Sequence, residues 1–329
     1  MSSAKVIAVF GATGAQGGSV VRSLLKNQAD AFAIRGITRN ISSDKAKVLS
    51  EQGVEMVQAD GLVRDQISNA LQGAWGVFVN TNSDDPAIGQ PDGPSETDLG
   101  RIIIDAAAEA GVHHFVYSGM ASASETTKGA VPNKGFDEKH AVGEYAKTKG
   151  FTSVTIVSPG WYLENHLAEP LAPLFGGFPF SPDEEGYLTL KCPRWGGNEE
   201  IPFISIGDDY GDIVHGVFLS PEVYNGQLIQ AISQSATTTQ LVEAFQKITG
   251  KESRFTPLED WKSFETYGDR GLELVKYMFG FCQYSGGLYY GVPNSTALAS
   301  QLKSQAQKAQ GKDEGLMTLE GFFAQYFST

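Results

Sequence analysis

Gly11, Gly14 and Gly17 stand two residues apart from one another, directly after the apolar run 6–10 and before a helical apolar pattern of Val20, Val21, Leu24 and Leu25. A strand, a tight turn and a helix start in that order bring backbone N–H groups close to a pyrophosphate at the positive helix end. Gly11 permits the turn, Gly14 removes a Cβ where phosphates come close, and Gly17 lets helix pack on strand. Thr13, Ala15 and Gln16 share that cradle. The flanking strand and helix separate a dinucleotide site from an ordinary glycine-rich turn. The next apolar run, 31–38, ends in Thr38-Arg39-Asn40, where an NAD-selective site carries a carboxylate for the ribose 2′-hydroxyl. Arg39 suits a 2′-phosphate instead. A bond to a charged group contributes about 1.5–3 kcal/mol, so the expected cofactor is NADP(H). A solvated surface arginine is the plainer alternative, as it is for Lys45 and Lys47.

These groups need a scaffold, and the first half of the chain supplies one. Strands are expected at 6–10, 32–38, 55–59, 76–80, 115–117 and 153–157, and helices at 19–26, 44–51, 64–71, 96–110 and 137–149. That alternation predicts an α/β fold with a doubly wound parallel sheet. Right-handed crossovers place the loops after the strands at one carboxyl edge, where ligands bind. Asp60 and Gly61 follow the third strand, flanking the adenine or serving a helix cap. Asn80 and Thr81 end the fourth, along the diphosphate or ribose. Pro159 ends the sixth, and Tyr162 and Asn165 come just after it. The loops 81–94, with Asp84-Asp85-Pro86, and 119–134 are long, and read either as lids or as surface loops.

Past Pro159-Gly160 the alternation lapses into a proline- and aromatic-rich stretch, 161–200. Residues 201–219 read as a strand and helix, 237–249 as an amphipathic helix, 258–281 as aromatic-rich helices, and 319–327 as an apolar segment that docks. The expected division is a first domain at 1–158, with 201–220 returning to it, and a smaller, discontinuous, α-rich lobe within 159–329. The aromatics Trp261, Phe264, Tyr267, Tyr277, Phe279, Phe281, Tyr284, Tyr289 and Tyr290 either line a pocket for a flat, apolar substrate or are core.

The whole chain excludes some classes. A net charge of −13 argues against a broad nucleic-acid-binding surface. No apolar stretch approaches a membrane span. The first strand begins too early to leave room for a signal peptide, so a cytoplasmic or nuclear protein is expected. Cys192 and Cys282 read as free thiols in a reducing compartment. Lys191 and Arg194 are cations able to lower the Cys192 pKa, an inert thiol being the competing reading. His140 and His166 titrate near neutrality by type, but neither has a partner in sequence. The five histidines show no metal-ligand spacing, and no metal is expected.

Gly11-Ala-Thr-Gly-Ala-Gln-Gly-Gly18, Thr38-Arg39-Asn40, Tyr117-Ser118-Gly119, Phe136-Asp137-x-Lys139 and Tyr162-Leu-Glu-Asn165 recur in order. Together they resemble the NmrA-like group of atypical short-chain dehydrogenase/reductases over nearly the whole chain. The resemblance implies a Rossmann domain with a small C-terminal lobe and an NADP(H) site. It also implies one of two functions: reduction of a small carbonyl, enone or quinone substrate, or redox sensing and transcriptional co-regulation through a protein partner. By the same resemblance Lys139 bonds the nicotinamide ribose and acts as acid or base. Tyr162 and Asn165 pass the nicotinamide, where Tyr162 either supplies a proton or packs between lobes. Ser118 stands near the place of a substrate-bonding hydroxyl, or simply ends its strand. The superfamily's usual acid, a tyrosine four residues before the lysine, is Gly135 here, which puts the ordinary proton relay in doubt.

Overall fold

The computed structural model describes residues 4–28, 31–83, 85–90 and 92–328; Asp84 of the first long loop lies outside them. The chain opens with β1 (Lys5–Phe10), α1 (Ala15–Leu25), β2 (Phe32–Thr38), α2 (Asp44–Glu51), β3 (Glu55–Gln58), α3 (Arg64–Leu71) and β4 (Gly76–Val79). It continues through α4 (Glu96–Glu109), β5 (His114–Tyr117), the single turn α5 (Ala123–Thr126), α6 (Lys134–Lys147) and β6 (Ser153–Pro159). Next come β7 (Trp161–Tyr162), β8 (Leu188–Pro193), β9 (Ile201–Ile204), α7 (Gly211–Leu219), β10 (Leu228–Ala231), β11 (Gln234–Ala236) and α8 (Thr238–Thr249). The last elements are β12 (Ser253–Leu258), α9 (Arg270–Ser285), α10 (Ala297–Ala309) and α11 (Leu319–Phe327).

Seven strands pair in parallel in the order β10-β6-β5-β4-β1-β2-β3. The central strands β4, β5 and β6 are wholly buried, whereas edge strand β3 exposes Glu55 and Gln58. Such continuous apolar runs are what a parallel sheet covered on both faces requires. Val20, Val21, Leu24, Ile213, Val217 and Leu302 pack one face, and Ile67, Leu71, Ile103, Ile104 and Val142 pack the other. Strand order reverses between β1 and β4, so the crevice outside their carboxyl ends is where this topology seats ligands.

In the first half of the chain two helix starts differ from the sequence expectation, and both matter. α1 begins at Ala15, so its first turn lies inside the glycine loop; glycines mask a helix start that only backbone geometry reveals. α6 begins at Lys134 because the Asn133 side chain accepts from Phe136 N. Lys139 therefore sits in the second turn, not at the helix start. The loop before α6 is ordered around Asp137, which accepts from Ser122 Oγ at 2.9 Å, Ser124 N at 2.9 Å and Ser124 Oγ at 2.7 Å.

The smaller lobe carries α8, α9 and α11 together with two small sheets, β11-β9-β7 and β12-β8. Phe178, Trp195, Phe203, Phe245, Phe279, Phe281 and Phe322 belong to its core. Residues 258–269, expected as helix, hold the end of β12 and one 3-10 turn at Trp261–Ser263; the helix starts at Arg270, capped by Asp269 through Leu272 N. α7 packs on α1, α10 packs on α7, and β10 extends the main sheet beside β6. The chain thus returns to the larger domain three times. A four-residue strand and a largely polar helix give the later returns little sequence signal.

Candidate functional site

β1 ends at Phe10, and Gly11 turns the chain with φ +62°, a conformation that side chains disfavour. A Cβ on Gly17 would stand 2.3 Å from Gly11 O and 2.7 Å from Phe10 O, so α1 lies on the turn only because no side chain is there. At Gly14 a Cβ would stand 3.2 Å from the same Gly11 carbonyl. Gly11, Gly14 and Ala15 remain exposed. Side chains cap α2, α4 and α6 (Ser43, Ser95 and Asn133), whereas α1 has neither a side-chain cap nor an acid in its first turn. Its leading N–H groups therefore face an open cradle that fits phosphate oxygens. Buried Gln16 Oε1 has no partner among the described residues, an acceptor suited to a hydroxyl of a bound group.

Thr13 Oγ1 lies 3.3 Å from Thr38 Oγ1, tying the cradle to the end of β2. Arg39 projects from that end, exposed, and its Nη1 meets Asp85 Oδ2 at 2.5 Å. Asp85 belongs to the loop 81–94, whose described residues are held by local hydrogen bonds. Asp85 Oδ1 accepts from Ala87 N at 2.9 Å, Gly89 N donates to Pro94 O at 3.0 Å, and Ile88 is buried. Arg270, at the start of α9, donates to Ile88 O. The loop thus spans from the Arg39 end of the sheet to the smaller lobe. Asp60 and Gly61 stand just past β3, beside the end of β2. Asp60 Oδ1 accepts locally from Leu62 N at 2.9 Å, and Gly61 is pressed against Leu99.

Past β4, Asn80 and Thr81 lead into a buried polar network. Lys139 Nζ donates to Thr81 O at 2.9 Å and pairs with the Glu96 carboxylate, which is 1% exposed. Thr81 Oγ1 lies 2.5 Å from Glu96 Oε1 and 2.8 Å from the Tyr117 hydroxyl. A carboxylate only accepts, so Thr81 donates to Glu96 and Tyr117 donates to Thr81. Ser83 Oγ donates to Glu96 Oε2 at 2.7 Å. Burial, reinforced by the Glu96 charge, pushes the Tyr117 phenol well above its usual pKa. The network fixes Lys139 at the mouth of a cavity.

That cavity, of about 830 Å³, lies between the sheet edge and the smaller lobe. Ser83, Asp85, Lys139, Tyr162 and Asn165 supply polar groups. Phe136, Trp161, Phe175, Phe178, Phe203, Met278, Phe279 and Tyr289 are among its apolar lining. Tyr162 accepts a hydrogen bond from Gln16 Nε2 of the glycine loop, which leaves its own O–H free to donate. Burial pushes its pKa up to about 12, Glu164 adding to the rise and the Gln16 bond opposing it. Of the aromatic series, Phe279 and Tyr289 line the cavity. Phe264, Phe281 and Tyr290 are buried core, and Tyr267 and Tyr284 are exposed.

Ser118 stands apart from the cavity, and Cys192 keeps the plainer of its two readings, an inert thiol. Ser118 is buried, beside the Tyr210 phenol, and does not line the cavity; its backbone N–H donates to Val79 O at 2.9 Å. Cys192 lines the cavity, but burial, with Glu199, pushes its thiol up to about 12 instead of down. Lys191, the preceding residue of β8, is exposed on the opposite face, and Arg194, past the strand end, pairs with Glu259 at 2.8 Å. Pro159 O, at the end of β6, accepts from Tyr289 at 3.3 Å. His140 faces Glu125 at 3.5 Å, near the loop before α6.

Sequence reasoning missed Glu96, Ser83 and Tyr117 as site residues. Glu96 follows Ser95, which forms a capping box with Asp98, so it reads as one more acid at a helix start. Only the packing of α4 against α6 brings it to Lys139. Among the described residues no group of three or more His, Cys, Asp or Glu is arranged to hold a metal ion. No helix among them is long and apolar enough to cross a membrane.

The model of the NmrA-like family matches residues 3–323. The NmrA-like family domain-containing oxidoreductase FrzB of Cladobotryum sp is 47% identical, covering 98% of each chain. A crystal structure of NmrA, a negative transcriptional regulator, in complex with NADP matches with a TM-score of 0.75 at 22% identity, covering 99% of this chain and 96% of that one. The NADPH-dependent quinone oxidoreductase of Escherichia coli, complexed with NADPH, matches with a TM-score of 0.69 at 23% identity, covering 98% and 100%. At such identities the two structures establish a shared fold.

Proposed function

The chain belongs to the NmrA-like family, and we propose that it is an NADPH-dependent reductase of a small carbonyl, enone or quinone compound. The observation that carries this reading is the cavity, about 830 Å³, largely apolar and open to Lys139 and Tyr162. Space of that size and lining takes a small organic molecule. The oxidoreductase names of curated relatives support the same reading. The surface, with net charge −13, fits a small-molecule partner better than a nucleic acid. Two buried free cysteines fit a cytoplasmic or nuclear setting.

NADPH, when bound in the cradle, would supply the hydride. The free N–H groups of the first turn of α1, from Ala15 to Gly17, would hold the diphosphate, with Asn80 and Thr81 beside it. Arg39 would exchange Asp85 for the 2′-phosphate. Lys139 is positioned by Glu96 and Thr81 to donate to ribose hydroxyls, and Asn165 and Pro159 border the same opening. Tyr162, steadied by Gln16, donates to the substrate oxygen and yields its proton as that oxygen gains charge. Its raised pKa keeps it protonated until then.

One feature favours a second reading, a sensor that reports NADP(H) to a protein partner. Gly135 leaves the position of the superfamily's usual acid empty, with Leu274 of α9 facing it. NADPH consumption by the purified protein, tested against aldehydes, quinones, enones and aryl ketones, separates the two. The reductase predicts turnover that disappears in Lys139→Ala while NADPH still binds. Intact NADPH binding with no consumption of any compound overturns it. Equal partner affinity with and without NADP(H) would overturn the sensor, because a ligand shifts an equilibrium only through differential affinity.

A further inference from the structure

Two histidines, one buried on α7 and one half-buried in the cavity wall, differ in their surroundings. His215, fully buried on α7, has both ring nitrogens engaged: Nδ1 with Ser23 Oγ at 3.1 Å and Nε2 with Asn27 Nδ2 at 2.9 Å. His166 has one. Its Nδ1 lies 3.1 Å from Leu163 O. A carbonyl only accepts, so Nδ1 carries the hydrogen and Nε2 keeps the lone pair. Among the described residues no hydrogen-bond donor meets Nε2. The ring stands edge-on to Phe178, with centroids 5.9 Å apart, and close to Phe203 at 6.5 Å, and it lines the cavity. Burial pushes the imidazole down to about 4, so the lone pair persists at neutral pH. The charged groups that line the same cavity, Asp85, Lys139, Asp269 and Arg270, make no hydrogen bond to it. Leu190 and Leu241 continue the apolar wall.

A lone acceptor, held in one tautomer by the backbone and set in an aromatic wall, discriminates among otherwise similar apolar molecules. We propose that His166 determines substrate specificity: Nε2 accepts a hydrogen bond from an O–H or N–H group carried on a flat, apolar ring system. The inference rests on the cavity being the substrate site, and it narrows that substrate to an aromatic or similarly flat compound bearing a hydrogen-bond donor. A donor-bearing ligand gains one net hydrogen bond, which amounts to about two- to ten-fold in affinity.

Isothermal titration of the full chain with 2-naphthol and with 2-fluoronaphthalene tests this. The two share their rings and approximate size, and only the first has a donor. The wild-type chain is expected to bind 2-naphthol more tightly, although 2-fluoronaphthalene is the more apolar. In His166→Phe the ratio of the two affinities is expected to fall about two- to ten-fold. His166→Gln, which keeps an acceptor, is expected to retain part of the preference. A wild-type chain that favours 2-fluoronaphthalene, a ratio unchanged in the Phe variant, or no binding of either compound overturns the proposal. The readout is binding without turnover. A failure here therefore leaves the reductase reading to the NADPH assay, and an inactive enzyme leaves the titration result standing.

Discussion

The glycine cradle and the aromatic cavity meet at Tyr162, yet they are built in opposite ways. The cradle is one short run, Gly11 to Gly17, made of backbone and of missing Cβ atoms. The cavity draws its wall from Phe136 on α6, Trp161 on β7, Phe175, Phe203 on β9, Leu241 on α8 and Phe279 on α9. A local structure answers to a local pattern, because a positive φ and a close backbone approach are satisfied by the residues themselves. A cavity wall has no such signature, since each of its side chains reads as core until the elements pack.

Tyr162 is where the comparison breaks most sharply, because it takes a hydrogen bond from the cradle and faces the cavity. Tyr162→Phe is expected to lower kcat about 10²- to 10⁴-fold, the usual contribution of a positioned acid. The NADPH dissociation constant is expected to stay near the wild-type value. A parallel loss of NADPH binding would show that the phenol serves the cradle rather than the chemistry.

Acid sharpens the comparison next, through one histidine in the cavity wall and one beneath α1. Both His166 and His215 are pushed down to about 4 from 6.5 by burial; Asp212 opposes the fall at His215, and the Leu163 carbonyl bond opposes it at His166. The unfolded chain takes up protons that the folded chain refuses. Stability is therefore full above about 6.5 and falls as pH drops toward 4. Each tenfold loss of proton affinity on folding corresponds to about 1.36 kcal/mol. Urea midpoints measured across that window are expected to decline, and His215→Gln is expected to flatten the decline. A flat wild-type profile would mean that water reaches both rings.

Two changes at the rim of the cradle carry smaller effects. Arg39→Ala is expected to weaken NADPH binding roughly ten- to hundred-fold while leaving NADH unaffected. Equal losses for both cofactors in a titration would remove Arg39 from the 2′-phosphate. Asp85→Asn frees Arg39 from its exposed ion pair. Such pairs contribute about 0–1 kcal/mol, so NADPH is expected to bind at most about five-fold more tightly. Weaker binding in that variant would mean that Asp85 itself contacts the cofactor.

Legibility in the sequence followed the same division. The alternation from β1 to β6, the turn at Gly11 and the position of Arg39 at the end of β2 were readable, because periodicity and backbone conformation act over a few residues. Lys139 was readable as a candidate, but its setting was not. Glu96 belongs to a capped helix start and becomes a partner only when α4 packs on α6. Cys192 shows the limit most plainly. Cationic neighbours in sequence left an activated thiol open beside the plainer inert one, and only burial, which pushes the thiol up, decides for the inert one. Likewise Ser118 ends its strand where a substrate-bonding hydroxyl belongs, yet faces Tyr210 in the core.

By itself the sequence determined a doubly wound sheet, a glycine turn into which no side chain fits, and an arginine at the end of β2. Those features depend on which residues are neighbours along the chain. Tertiary structure alone decided which acid holds Lys139, which aromatics line a cavity rather than fill a core, and which ring nitrogen of His166 the Leu163 carbonyl engages. Each of these depends on burial and on contacts between distant elements, and desolvation overrides what nearest neighbours in sequence suggest.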